Sequence, residues 1–356
     1  MKSQHSNPCR KRAAIAFALV AVGIAAVAAT LAAGPAAAQT APQPASRSLS
    51  IKAAAPSLTT AVQLAMIARQ LDKANGFTTN LLASGTSSTI TVEAVLSGQA
   101  DFGSPGTADA LQAIRAGANL KIIAAVANNL QTMVISNAAL KRVGVLPTAP
   151  IADRIRALKG LTLATGAVGS THYQILRATL KQYGIDPDKD LQLVGIGDTS
   201  ALITGIEHGR YDAIAYASGI VEQAVADKEA TIWISGPAGD VPGSEDVKTC
   251  VIIVRADMVE KRPADIEAFR AGLQAALQTI NTDHAATGRA LHDAYFPKLN
   301  PDVWNLAWNG ATKSYPANLA FSRAAYDYWI ANDPKGADSY KDIDYARITY
   351  VPAQTR

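Results

Sequence analysis

The chain has 356 residues, too many for one small domain, and 49% of them are hydrophobic against 17% charged, which excludes a disordered or collagen-like polymer. Its formal charge of +4 is local: Lys2, Arg10, Lys11 and Arg12 carry it, and without them the 33 basic residues fall to 29, equal to the 29 acidic ones. The body is neutral and shows no basic clustering of the kind nucleic acid demands.

The first twelve residues are polar and basic, residues 13–33 run apolar, and Pro35 and Ala36-Ala37-Ala38-Gln39 follow. That order is a basic n-region, an apolar h-region and a small-residue cleavage site. It predicts a signal peptide over 1–38, cut after Ala38, then a polar linker over 39–47 and an exported, periplasmic mature chain. A run of 21 residues would also reach across a bilayer, but Pro35 and the small residues favour cleavage. Of the two cysteines, Cys9 lies in the leader, so Cys250 remains alone and no intrachain disulfide is expected.

Strands and helices then alternate. A strand is predicted over 49–53. Leu64, Ile67, Ala68 and Leu71 share one helical face that Gly76 stops. Strands follow over 77–82, 101–103, 120–126 and 132–136, with helices over 90–96 and 107–115 between them. The pattern restarts with strands over 161–164, 191–196, 212–216, 231–235 and 250–255 and helices around Leu176-Leu180-Tyr183 and 200–207. Such alternation predicts mostly parallel sheets covered on both faces. From Pro263 the chain reads as helical, with Ile266, Phe269, Leu273, Leu277 and Ile280 at helical spacing. An echo links the halves: Ser97-Gly98-Gln99-Ala100-Asp101-Phe102 and His208-Gly209-Arg210-Tyr211-Asp212-Ala213 each end a helix at Gly and open a strand at Asp.

The run Ser97-Gly98-Gln99-Ala100-Asp101-Phe102-Gly103, followed by a helix and Ala116-Gly117-Ala118-Asn119-Leu120-Lys121-Ile122-Ile123-Ala124, resembles the periplasmic solute-binding proteins of ABC importers. Within these it is similar to the nitrate/sulfonate/taurine and thiamine-precursor (NMT1-like) group. Leu158-Lys159-Gly160, Gly169-Ser170-Thr171-His172, Asp188-Lys189-Asp190 and the His208 to Ala213 run resemble that group's second-domain landmarks. The resemblance spans about residues 48–270. It implies an α/β, type II periplasmic-binding-protein fold: two lobes joined by two crossing strands, with the ligand between them. Lobe 1 is expected to comprise 48–136 plus 250–356, discontinuous and ending in helices, and lobe 2 to comprise 137–249. A small-molecule ligand, an inner-membrane ABC permease as partner and a monomeric state are implied, with no cofactor and no metal.

Ligands of open α/β sheets bind outside the carboxyl ends of the strands. The loops there are rich in Gly, Ser and Thr, and they supply the candidates Ser57, Ser84, Gly85, Thr86, Ser104, Pro105, Gly106, Gly169, Ser170 and Thr171. Small hydroxyl residues leave backbone N–H groups approachable at helix N-termini, where negative charge is favoured. The same residues also serve as plain caps and turns. Asn128, Tyr173, Asp198, Tyr216 and Ser218 complete the candidate set; Asp198 also fits an N-cap, and Tyr216 a core position. The expected ligand is a small organic anion, sulfonate-like or carboxylate. An aromatic or pyrimidine ligand is the alternative if Tyr173 and Tyr216 flank the cleft.

The histidines show no metal-ligand spacing, and there is neither a nucleophile elbow nor a P-loop. Cys250 lies in an apolar strand without a catalytic partner. A binding protein is therefore expected rather than an enzyme. The fungal pyrimidine synthases that resemble the group carry a Cys-rich motif absent here, and a receptor-linked sensor remains a further alternative.

Overall fold

The computed structural model describes residues 47–83, 88–244 and 247–352. The expected signal peptide, all of the linker but Arg47, and the candidates Ser84, Gly85 and Thr86 lie outside the described residues. Ten strands form two five-stranded sheets. They are β1 (Arg47–Ala53), β2 (Phe77–Ala83), β3 (Phe102–Ser104), β4 (Leu120–Ala127), β5 (Gln131–Ser136), β6 (Thr162–Gly166), β7 (Gln192–Ile196), β8 (Ala213–Ala217), β9 (Ala230–Ser235) and β10 (Cys250–Arg255).

The first sheet has the order β2-β1-β3-β10-β4 and the second β7-β6-β8-β5-β9. In each, three parallel strands come from successive strand–helix units. The fourth strand arrives from the other sheet and runs antiparallel to both neighbours. The two sheets are thus topological copies that exchange one strand each. The echo read in the sequence marks equivalent points: Gly98 and Gly209 both adopt left-handed backbone, φ +77° and +67°, just before β3 and β8.

β5 pairs with β8 and β9, so it belongs to the second sheet. The chain therefore changes sheets at residues 128–130, ahead of the position near 136–137 expected from the sequence. Periodicity could not reveal this, because β5 is buried along its whole length and reads the same in either sheet. The return segment ends at β10. The two connections are bonded to each other: the Thr249 hydroxyl donates to the Asn128 carbonyl (2.6 Å) and the Thr249 N–H to that of Ala127 (2.9 Å).

Each sheet has an apolar cluster on both faces. The long helix Pro263–Thr282, with its proline in the first turn, packs Phe269 flat on Phe102 of β3, ring centroids 3.9 Å apart. The later helices wrap the same sheet. Trp304 and Trp308 are buried on one side of it, Phe321, Tyr326 and Trp329 on the other. This tail also holds the connections: the Trp329 indole N–H donates to the Lys248 carbonyl (2.9 Å) and the Asn128 N–H to that of Ser314 (2.7 Å). Among the described residues no helix is long and apolar enough to cross a membrane.

Candidate functional site

A cavity of about 310 Å³ lies where the carboxyl ends of the two sheets face each other. The first lobe contributes Thr59 and Thr60 after β1, Ser88 and Thr89 at the start of the helix Ser88–Leu96, and Ser104 and Gly106 after β3. Asp109 and Gln112 come from the next helix, Thr107–Arg115. The second lobe contributes the loop of Gly169 and Ser170, then Thr171 and His172 at the start of the helix Thr171–Gln182, and Tyr216 of β8. Thr249 and Cys250, where the chain returns to the first sheet, also face the cavity. Three helices thus open onto one space, and the partial positive charge of their N-termini favours negative charge there.

Asp109 takes up part of that capacity. The Thr171 hydroxyl donates to its carboxylate at 3.1 Å and the Thr171 N–H at 3.4 Å, across the gap between the lobes. Burial pushes the Asp109 carboxyl up to about 6, against the opposing pull of the donors from Thr171 and Ser88. Two further bonds join the lobes: the Ala108 N–H donates to the Thr171 hydroxyl (3.1 Å), and the Gln112 side-chain amide to the Gly169 carbonyl (2.9 Å). Gly106 makes this approach possible, since a Cβ there would collide with the Thr171 hydroxyl and the Asp109 carboxylate.

His172 stacks at a tilt on Tyr216, ring centroids 4.5 Å apart, and burial pushes its imidazole down to about 4, so it is neutral near pH 7. Burial pushes the Cys250 thiol up to about 11, and its sulfur lies 3.1 Å from the Ser104 hydroxyl, which in turn accepts from Gln63. An unionised thiol without a base is a poor nucleophile. Among the described residues no Lys or Arg lines the cavity and no cluster suited to a metal ion exists.

Residues 42–291 match the model of the NMT1-like family. The chain belongs to the NMT1-like family. The solved structures that share its fold are remote in sequence. The alkanesulfonate-binding protein of Xanthomonas axonopodis pv. citri, bound to MOPS, is 17% identical, with a TM-score of 0.62, 84% of this chain and 93% of that one being covered. The periplasmic aliphatic sulphonate binding protein of Escherichia coli is 17% identical, with a TM-score of 0.62 and coverage of 83% and 92%. The periplasmic nitrate-binding protein of Synechocystis PCC 6803 is 15% identical, with a TM-score of 0.57 and coverage of 74% and 68%. No curated protein matches in sequence. The two sheets with their exchanged strands are the two lobes of the periplasmic-binding-protein fold. These relatives are binding proteins.

Of the residues this NMT1-like sequence nominated, Ser104, Gly106, Gly169, Ser170, Thr171 and Tyr216 line the cavity. Others lie beside it. Ser57 is buried one step back, its hydroxyl 2.7 Å from that of Thr59, and it is Thr59 and Thr60 that reach the space. Pro105 offers its carbonyl to Val251 instead. Asn128 sits in the connection and accepts from Lys248 at 2.6 Å. Tyr173 lies under the guanidinium of Arg177, one turn along its helix. Asp198 caps the helix Thr199–Glu207 through the Ser200 N–H (2.9 Å), while its neighbours Ile196 and Gly197 line the cavity. Ser218 points to Thr132 (2.6 Å) and Glu222, in a separate groove. Sequence reading missed Asp109 and Gln112. The signal was present: an acid in the first turn of a helix whose start was already placed at the cleft, with Gln112 three residues on, on the same face.

Proposed function

We propose that the chain is the solute-capturing component of an ABC-type import system: a periplasmic, monomeric protein without catalytic chemistry that presents its ligand to an inner-membrane permease. The expected ligand is a small organic anion, sulfonate-like or carboxylate. The single observation that carries this reading is the cavity itself, enclosed from two lobes by small hydroxyl residues and the N-termini of three helices of nine, nine and twelve residues. Its volume suits a solute of a few carbons. Gly169, Ser170 and Thr171 are the residues proposed to hold the anionic end. The sulfonate and nitrate named for the structural relatives support the same class.

Capture would work by hinge closure, the two connections flexing while each sheet moves as a body. The test is a thermal-shift and calorimetric screen of the chain from Gln39 onward against sulfonates, carboxylates, aromatic acids, nitrate and pyrimidines. Saturable binding of one class with a raised melting temperature is the expected result. Turnover of a probe without saturable capture would favour the enzyme alternative. N-terminal sequencing of the exported protein tests the compartment: it should begin at Gln39.

A further inference from the structure

The charge inside the cavity narrows the ligand further. Asp109 is the only charged side chain in the wall among the described residues. His172 is neutral there. A bare anion brought beside this carboxylate meets a like charge in a space shielded from water, where repulsion is strong.

We infer that the solute selected by this cleft carries, besides its anionic group, a nitrogen-borne hydrogen-bond donor that meets Asp109, and that anions lacking one are discriminated against. This rests on the solute-capture reading and deepens it. The donors now serving Asp109 come from both lobes. Ser88 belongs to its own lobe, but the hydroxyl and N–H of Thr171 belong to the opposite one. A solute held between the lobes at this point takes the place of Thr171, and a protonated amine or ring N–H would replace the Thr171 donors at full charge-assisted strength. The other titratable groups facing this point are the neutral His172, Tyr216, whose hydroxyl burial pushes up to about 12, and the Cys250 thiol; none supplies a positive charge. The helix N-termini are left for the anionic end. The ligand is then a zwitterion or a donor-bearing organic acid, unlike nitrate or a plain alkanesulfonate.

The test is calorimetry on the mature chain with matched probes: 3-aminopropane-1-sulfonate against butane-1-sulfonate, 4-aminobutanoate against pentanoate, and nitrate. The amino members should bind at least tenfold more tightly than their alkyl partners. In Asp109→Asn, with Asp109→Ser as a second variant should the first melt poorly, that gap should close and the alkyl members should gain. Equal or tighter binding of the alkyl probes or nitrate to the wild-type chain overturns the inference and leaves solute capture standing. If no probe binds, a broad small-solute screen decides: a ligand without a nitrogen donor overturns the inference, one with it upholds it, and no ligand at all defeats both readings.

Discussion

Glu222 is 3% exposed, and its carboxylate accepts from the Gly219 N–H at 2.7 Å with the hydroxyls of Ser218 and Thr132 beside it. Burial outweighs these donors and pushes the group up to about 7 from an ordinary 4.5. A carboxyl that holds its proton more tightly when folded makes the folded state lose stability as pH rises through that window. The sign is the reverse of the usual salt-bridged acid. Between pH 5 and pH 8 this group alone should cost about 2–3 kcal/mol. Asp109, pushed up to about 6, adds to the same slope. His172, pushed down to about 4, opposes it, since the unfolded chain binds its proton more readily between about 4 and 6.5. Glu222→Gln keeps an oxygen for Gly219 and removes the charge. It should be more stable than wild type at pH 8 by about 1–3 kcal/mol and no more stable at pH 5, as read from urea unfolding at both pH values. An unchanged difference between the two pH values in the variant would show that Glu222 stays ionised in the fold.

At the scale of elements, the start of the helix Thr171–Gln182 carries two separable duties. The Ser170 hydroxyl accepts from the Tyr173 N–H within its own helix, whereas the Thr171 hydroxyl reaches Asp109 in the other lobe. Ser170→Ala should therefore cost about 1 kcal/mol of stability, the ordinary worth of a cap, and leave the shape of the molecule unchanged. Thr171→Val should melt close to wild type yet favour parted lobes, seen as a larger radius of gyration in solution scattering. An unaltered radius would show that the Thr171 bond does not hold the lobes together. The boundaries of these elements were readable in the sequence because apolar period, glycine stops and capping residues agreed with each other: the helix at Thr107–Arg115 and the strand Cys250–Arg255 stand at the predicted residues. The loops facing the cleft were readable for the same reason. Side-chain direction was not. Tyr173, Ser218 and Asp198 follow the right strands but turn to Arg177, Thr132 and Ser200, partners that are distant or local in ways no period records. Asp109 was missed because an acid in a first turn looks like ordinary helix-dipole compensation.

At the scale of the whole molecule, the exchanged strands decide what each lobe needs in order to exist. β5 leaves the first lobe and becomes an interior strand of the second sheet, bonded to β8 on one side and β9 on the other. Its Met133, Val134 and Ile135 are 4%, 0% and 0% exposed and sit in the clusters on both faces of that sheet. Burying each such side chain contributes about 1.5–3 kcal/mol, so the three together approach the whole stability of an ordinary domain, about 5–15 kcal/mol. Without β5, β9 has no neighbour in the sheet. A fragment of residues 128–249 therefore contains a complete second sheet, and one of residues 137–249, cut where the sequence alone put the boundary, does not. The longer fragment should unfold in urea in a single cooperative transition by circular dichroism, and the shorter one should show none. Equal cooperativity in both would mean that β5 is dispensable to the second lobe, and that the sheet change at residues 128–130 is not where the lobes divide.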